Sequence, residues 1–331
     1  MNPDSARAPQ PQADAPVAES RRSALALLGL RLMPALFVVI WSTGFIVARY
    51  GMPYAPPLKF LCLRYGASLI LLLLVAFALR VRWPQSRTQW LHLAVVGVLM
   101  QAGYLGGVWA AVKQGIGAGT VALIVGLQPL LTAVLVSLAG HKVRAAQWLG
   151  LGLGFLGLGL VVARQLEQGT LSGVNLALAL FALLCITSGT LWQKRYVVTT
   201  PVWTAAAVQI GAALLVSLPI ALWETEPVVF NIQLIGALAW SVLAITLGAS
   251  SLLYLLIQRG AAVQVTSLIY WVPPVTALMG WWLFDERIGP GTWAGMALVA
   301  AGVLTVTRSG RGSQSEQRQQ TSSIDTRDPH P

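Results

Sequence analysis

Arg64 is the one charge set well inside an apolar run, about six residues from the nearer end. A guanidinium at that depth has two uses. It snorkels its long stem to the headgroups, or it faces a cavity and holds a carboxylate or phosphate through paired N–H donors. No Asp or Glu lies deep in any apolar run, since Glu224, Glu226, Asp285 and Glu286 all fall near run ends. That absence argues against proton coupling through an embedded carboxylate. Facilitated diffusion, exchange or coupling through another group remain.

Polar and aromatic residues gather on particular runs: Trp41, Ser42 and Thr43; Tyr104 and Trp109; Thr187 and Ser188; Ser250 and Tyr254; Tyr270 and Trp271. Serine and threonine often bond only their own helix's carbonyls, and aromatics often sit at the interface. Tyr104, Trp109, Tyr254 and Tyr270 lie deeper than an interfacial belt requires. With Arg64, this set is the candidate lining of a cavity for a small amphipathic substrate.

Other local patterns carry less. Gly248-Ala249-Ser250 would suit a serine hydrolase only with a deep histidine as base. His92 is near a run end, His141 lies between runs and His330 is in the tail, so no catalytic residue and no enzyme is expected. "GLGFLG" at 152–157 follows no strand and lacks an acidic partner, which excludes a dinucleotide site. Gly150 and Gly154 instead have the spacing that lets helices approach closely, within the chain or between two copies. Cys62 and Cys185 read as small buried hydrophobes, leaving no metal or cofactor site in view.

The elements that carry these residues follow from composition. Hydrophobic residues make up 56% of the 331 and charged ones 10%, and mean hydropathy is +0.69. A soluble chain has about a quarter charged residues, so this is a membrane protein. The net charge of +11 sits at the ends of apolar runs and forms no patch for nucleic acid. Ten runs reach spanning length, near 33–50, 58–79, 90–112, 118–139, 146–163, 171–193, 202–223, 233–257, 262–284 and 291–307. Residues 1–32 read as a disordered tail ahead of a retained first helix, and 309–331 as a second disordered tail. Alternate loops collect Arg80, Arg82, Arg87, Lys142, Arg144, Lys194, Arg195 and Arg259. The other set holds Arg49, Lys59, Lys113, Arg164 and Arg287. The larger count predicts both tails on the cytoplasmic side.

A shift of 145 residues carries Gly44 onto Gly189, Pro56 onto Pro201, Gly66 onto Gly211 and Gly103 onto Gly248. It also carries Gly115 onto Gly260, Pro129 onto Pro274, Trp148 onto Trp293, Gly150 onto Gly295 and Gly157 onto Gly302. About one glycine match would arise by chance, and six occur. The chain is therefore two copies of a five-helix unit, 33–163 and 171–308. Five is odd, so the copies cross the membrane in opposite senses, as in carriers that bind substrate between inverted repeats. Gln128-Pro129 and Pro273-Pro274 fall at matching places, where helices bend and freed carbonyls can face a cavity. A simple packing kink is the alternative.

"WSTGFIVARYGMPYAPPLKFLCLRYGASLILL" (41–72) resembles the first two helices of the EamA family, in the drug/metabolite transporter superfamily. "LQPLLTAVLVSLAGHKVRAAQWLGLGLGFLGLGLV" and "VPPVTALMGWWLFDERIGPGTWAGMALVAAGVL" resemble the proline helix, loop and glycine helix that close each half. Asp285-Glu286-Arg287 follows the family's Gly-Glu-Arg loop pattern, whereas the first half has Gly140-His141-Lys142. The resemblance covers about residues 33–308. It implies an all-α, ten-helix inner-membrane carrier, an exporter of amino acids or related metabolites. A passive channel is the rival, and saturation kinetics separates the two.

Overall fold

The computed structural model describes residues 15–138, 145–167, 169, 171–197, 200–249, 251–252, 271–286 and 289–305. The described residues are helical throughout, with no strand among them. Seven helices are long and apolar enough to cross a membrane. They are α1 (Ala15–Gly51, apolar from Leu32), α2 (Pro57–Ala78), α3 (Arg87–Lys113) and α4 (Ala118–Leu135), then α6 (Gly173–Tyr196), α7 (Val202–Ala221) and α8 (Ile232–Ala249). Three shorter apolar helices join them: Trp148–Ala163 within α5 (Ala145–Glu167), α9 (Val272–Phe284) and α10 (Pro290–Thr305). Ten runs thus become seven helices of spanning length plus three short ones among the described residues. The start of the ninth run falls at 262–270 and lies outside those residues, as do 1–14 and 309–331, whereas residues 15–32, expected as part of a disordered tail, open α1.

Helix ends follow the 145-residue period. Pro56 and Pro201 are the N-caps of α2 and α7, and Ser86 and Asn231 are the N-caps of α3 and α8. The Ser86 and Asn231 side chains accept the backbone N–H three residues on, at 3.2 and 2.8 Å. Each satisfies a donor that the helix itself cannot, worth about 1 kcal/mol. α5 and α10 begin one period apart, and α1 and α6 end one period apart, at Gly51 and Tyr196. The start of α6 meets the end of α3 where Asn175 Nδ2 donates to the Gln114 carbonyl at 3.3 Å. Lys113 in turn donates to Met52 O at 3.2 Å, just past the end of α1. α1 therefore runs toward the face that α6 leaves, so the copies are inverted.

Packing repeats the same two-fold. α2 lies against its mate α7, and α4 against its mate α9. The α1–α8 contact returns as α6–α3, and α1–α9 as α6–α4. In lipid, helices associate through close packing, since the surrounding tails are as apolar as leucine. α5 and α10 show this best. A Cβ on Gly157 would come 2.5 Å from the Gly295 carbonyl oxygen, and one on Gly302 would come 2.4 Å from that of Gly150. The period exchanges these two pairs, so one glycine contact is made twice. The glycine stripe of residues 150–157 is used inside the chain.

Candidate functional site

The third helix of each half does not run as a plain α-helix. Val98–Gly103 in α3 and Ser241–Ala249 in α8 are π-helical, at matching positions under the period. A π-turn widens the helix by one residue, and such turns concentrate at functional sites because they re-aim side chains and loosen carbonyls. Thr246 Oγ1 donates to the Ser241 carbonyl five residues back, at 3.0 Å.

α2 runs between the two π-helices and touches both. Tyr65 donates its hydroxyl to the Gln101 carbonyl at 2.7 Å, and Ser68 Oγ bonds Thr246 Oγ1 at 3.3 Å. Arg64 adjoins Tyr65 and shares a helix face with Ser68, four residues on. The structure buries it, with 7% of the residue exposed. Tyr104, the first residue beyond the π-helix of α3, is also buried and lies within electrostatic range of the guanidinium. Among the described residues no carboxylate pairs with Arg64, and no hydrogen bond reaches it. A buried cation without a partner is costly, and water or an anionic ligand removes that cost. This position can therefore bind a carboxylate.

Other predicted lining residues divide into three groups. Ser42 and Thr187, one period apart, are fully buried. Ser42 Oγ donates to Val272 O at 3.4 Å, at the foot of the Pro273-Pro274 turn, while Thr187 bonds Leu183 O of its own helix at 2.7 Å. Thr43 bonds Ile40 O and accepts the Trp240 indole N–H, and Trp41 packs on Phe37. In the second group, side chains leave the interior or fill it. Thr187 and Ser188 are about 100° apart around the helix, so burying the first turns Ser188 outward, where it is exposed. Trp271, next to buried Val272, is 63% exposed by the same geometry. Trp109 is fully buried with its ring 4.3 Å from that of Phe60, so it packs the core and faces no space. Ser250, Tyr254 and Tyr270 lie outside the described residues.

The proline helices differ in detail. α4 is divided into Ala118–Val125 and a second part that starts at Gln128 and runs on past the spanning stretch to Leu138, with the break at Gly126–Leu127 just before Pro129. Proline offers no N–H to Val125, which is where the α-helical ladder stops. Gln128 Nε2 donates to Thr190 Oγ1 of α6 at 2.8 Å, pinning the break to the neighbouring helix. In α9, Pro273 and Pro274 occupy the first turn, where a missing N–H costs nothing.

Spacing alone would have found Ser68, four residues after Arg64. Nothing in the sequence marks the π-helices, Gln101 or Thr246, because "VLMQAG" is as apolar as any helical stretch.

An all-α bundle of two inverted halves, with polar groups gathered where broken helices meet, defines a multi-pass membrane protein of the inverted-repeat kind. The family model described as EamA-like transporter family matches residues 28–163 and again 174–308, and the chain belongs to that family. It is 29% identical over 286 residues to "Uncharacterized inner membrane transporter YedA" of Escherichia coli (strain K12), covering 84% of this chain and 91% of that one. It is 24% identical over 185 residues to a "Probable amino-acid metabolite efflux pump" of Salmonella typhimurium, covering 56% of this chain and 60% of that one. A protein of known crystal structure superposes with a TM-score of 0.56 at 18% identity, covering 85% of this chain and 98% of that one. That likeness speaks to the fold.

Proposed function

We propose that this protein is a secondary transporter that exports a small amphipathic metabolite with a carboxylate, such as an amino acid, across the cytoplasmic membrane by alternating access. The observation that carries the reading is Arg64, buried and without an anionic partner among the described residues, beside Tyr104 and between two π-interrupted helices. In this reading Arg64 holds the substrate carboxylate. Tyr104 supports the apolar part, and Trp41, Ser42, Thr43 and Thr187 on the first helix of each half would be uncovered as the halves rock; Tyr254 and Tyr270 are proposed beside them from the sequence alone. The break before Pro129 and the helix start at Pro273-Pro274 are the points about which each half would rock. Inner-membrane placement follows the relatives' names, with both termini cytoplasmic by the Lys/Arg count.

Counterflow in proteoliposomes tests the reading. Unlabelled amino acid trapped inside should drive saturable uptake of the labelled form from outside. Flux that rises linearly with concentration and shows no counterflow would mean a passive channel. No flux for any amino acid would remove the substrate class.

A further inference from the structure

Between residues 20 and 309 the chain has five acidic residues, Glu167, Glu224, Glu226, Asp285 and Glu286. All five belong to the ends or loops of one face, the face on which α1 ends at Gly51. Three of them contact the first half. Glu224 accepts the Leu58 and Lys59 backbone N–H at 3.0 and 2.8 Å, capping α2, whose own N-cap Pro56 offers no side-chain acceptor. Glu226 pairs with Lys113 at 2.5 Å, and its carbonyl accepts from Lys59 Nζ at 2.7 Å. Glu286 accepts the Ala118 N–H at 3.1 Å, capping α4, and stands 3.9 Å from Arg49 of α1. Its carboxylate lies so close to Gly117 and Gly280 that a Cβ on either would approach within 2.9 and 2.7 Å. In each contact the acceptor comes from the second half and the donor from the first.

On the opposite face the described contacts between the halves are not ionic: Thr204 Oγ1 donates to the Arg82 carbonyl at 3.1 Å, and His92 stacks on Tyr196. The loops of that face carry Arg80, Arg82, Arg87, Lys194 and Arg195 and no acidic residue, so no ion pair there can join the halves within residues 20–309. Arg49 and Glu286 themselves line a cavity of about 470 Å³, together with Thr120, Leu123, Ala277 and Thr292.

We infer that these contacts form an ionic latch, which holds the two halves shut on the Gly51 face and must break in each transport cycle to open the cavity that it lines. The inference rests on the alternating-access reading for its purpose. The latch itself is a property of the closed structure and is measured without substrate. Single exposed ion pairs contribute little. Here two carboxylates also bind backbone N–H groups at helix N-termini, where charge and dipole reinforce each other.

Leu123 is buried and faces the cavity, so a cysteine there reports opening. With Cys62 and Cys185 replaced, an impermeant maleimide is applied to reconstituted Leu123→Cys protein from the Gly51 face. Glu226→Gln with Glu286→Gln should raise the labelling rate about tenfold, the change that 1.4 kcal/mol produces. Lys113→Glu should raise it too, and adding Glu226→Lys should bring it back. That rescue keeps the test alive if the double glutamine variant fails to fold. Raising salt from 0.05 to about 1 M should speed labelling of the Leu123→Cys protein with the latch intact, because screening shortens the reach of these charges to about 3 Å. Labelling unmoved by all of these changes, in protein that transports, would overturn the latch. Labelling that responds as expected, in protein that moves no amino acid, would leave the latch standing and remove the transport reading instead.

Discussion

The two halves share a backbone and differ in charge. Caps, glycine contacts and π-helices recur one period apart. Arg64, in contrast, has Gln209 as its mate, and Glu286 has His141. Duplication supplies the mechanical symmetry that lets a bundle rock about its centre. In the proposed reading the carboxylate-bearing substrate is not symmetric, so one half carries the cation that would hold it. The latch shows the same division, since its acceptors all come from the second half and its donors from the first.

Substitutions at mated positions separate what is mechanical from what is chemical. The largest effect is expected at the α5–α10 seam. Gly157→Leu and Gly302→Leu each drive a side chain into backbone and should lower stability in detergent by about 3 kcal/mol or prevent folding. Because the two sites are mates, the losses should agree within about 0.5 kcal/mol. Melting curves showing one tolerated and the other not would mean the halves are not equivalent there. Next comes Trp109→Ala, which empties a packed site against Phe60 and should cost about 3 kcal/mol without preventing folding, with substrate affinity unchanged. An affinity loss without destabilisation would return Trp109 to the binding site.

A smaller effect on stability and a larger one on rate are expected at the proline helices. Pro129→Ala restores an N–H at the α4 break and should leave stability within about 1 kcal/mol while slowing transport. Pro274→Ala lies in the first turn of α9, where the N–H has no helical partner, and should slow transport less. Equal rates for both variants and the parent, measured in proteoliposomes, would reduce the prolines to packing features. The smallest effect belongs to Gly66→Ala. Beyond its own stretch of helix no atom lies within 4 Å of a Cβ there, and the helix should gain about 0.5–1 kcal/mol from alanine's greater propensity. A melting temperature that falls would show that α2 needs room at that point to move.

The architecture was legible because membrane helices announce themselves by length, and duplication by period. Pro56 and Pro201 needed no alignment beyond a fixed shift, whereas Ser86 and Asn231, being different residue types, are paired only by their shared capping role. Site residues are harder to read, because a stretch of sequence does not show which face of its helix each residue takes. Thr187 and Ser188 are neighbours in the sequence, yet adjacent residues diverge by about 100° around a helix. Arg64 was legible for the opposite reason, since a lone charge in an apolar run has few uses. The π-helices left no trace, because a change of hydrogen-bond register needs no change of hydropathy. Glu224 and Glu286 looked like ordinary loop acids. Their partners stand 166 and 168 positions away along the chain, beyond any local pattern.

The central claim is that Arg64 binds the substrate's carboxylate. Arg64→Gln, which copies Gln209, keeps a long polar side chain and removes the charge. Transport of a carboxylate substrate and of its amide analogue should be compared in proteoliposomes holding each protein. The account predicts that Arg64→Gln lowers kcat/KM for the carboxylate at least tenfold, about 1.4 kcal/mol, and changes the amide little. Equal losses for both substrates, or none for either, would contradict it and leave Arg64 as a side chain that only reaches for the headgroups.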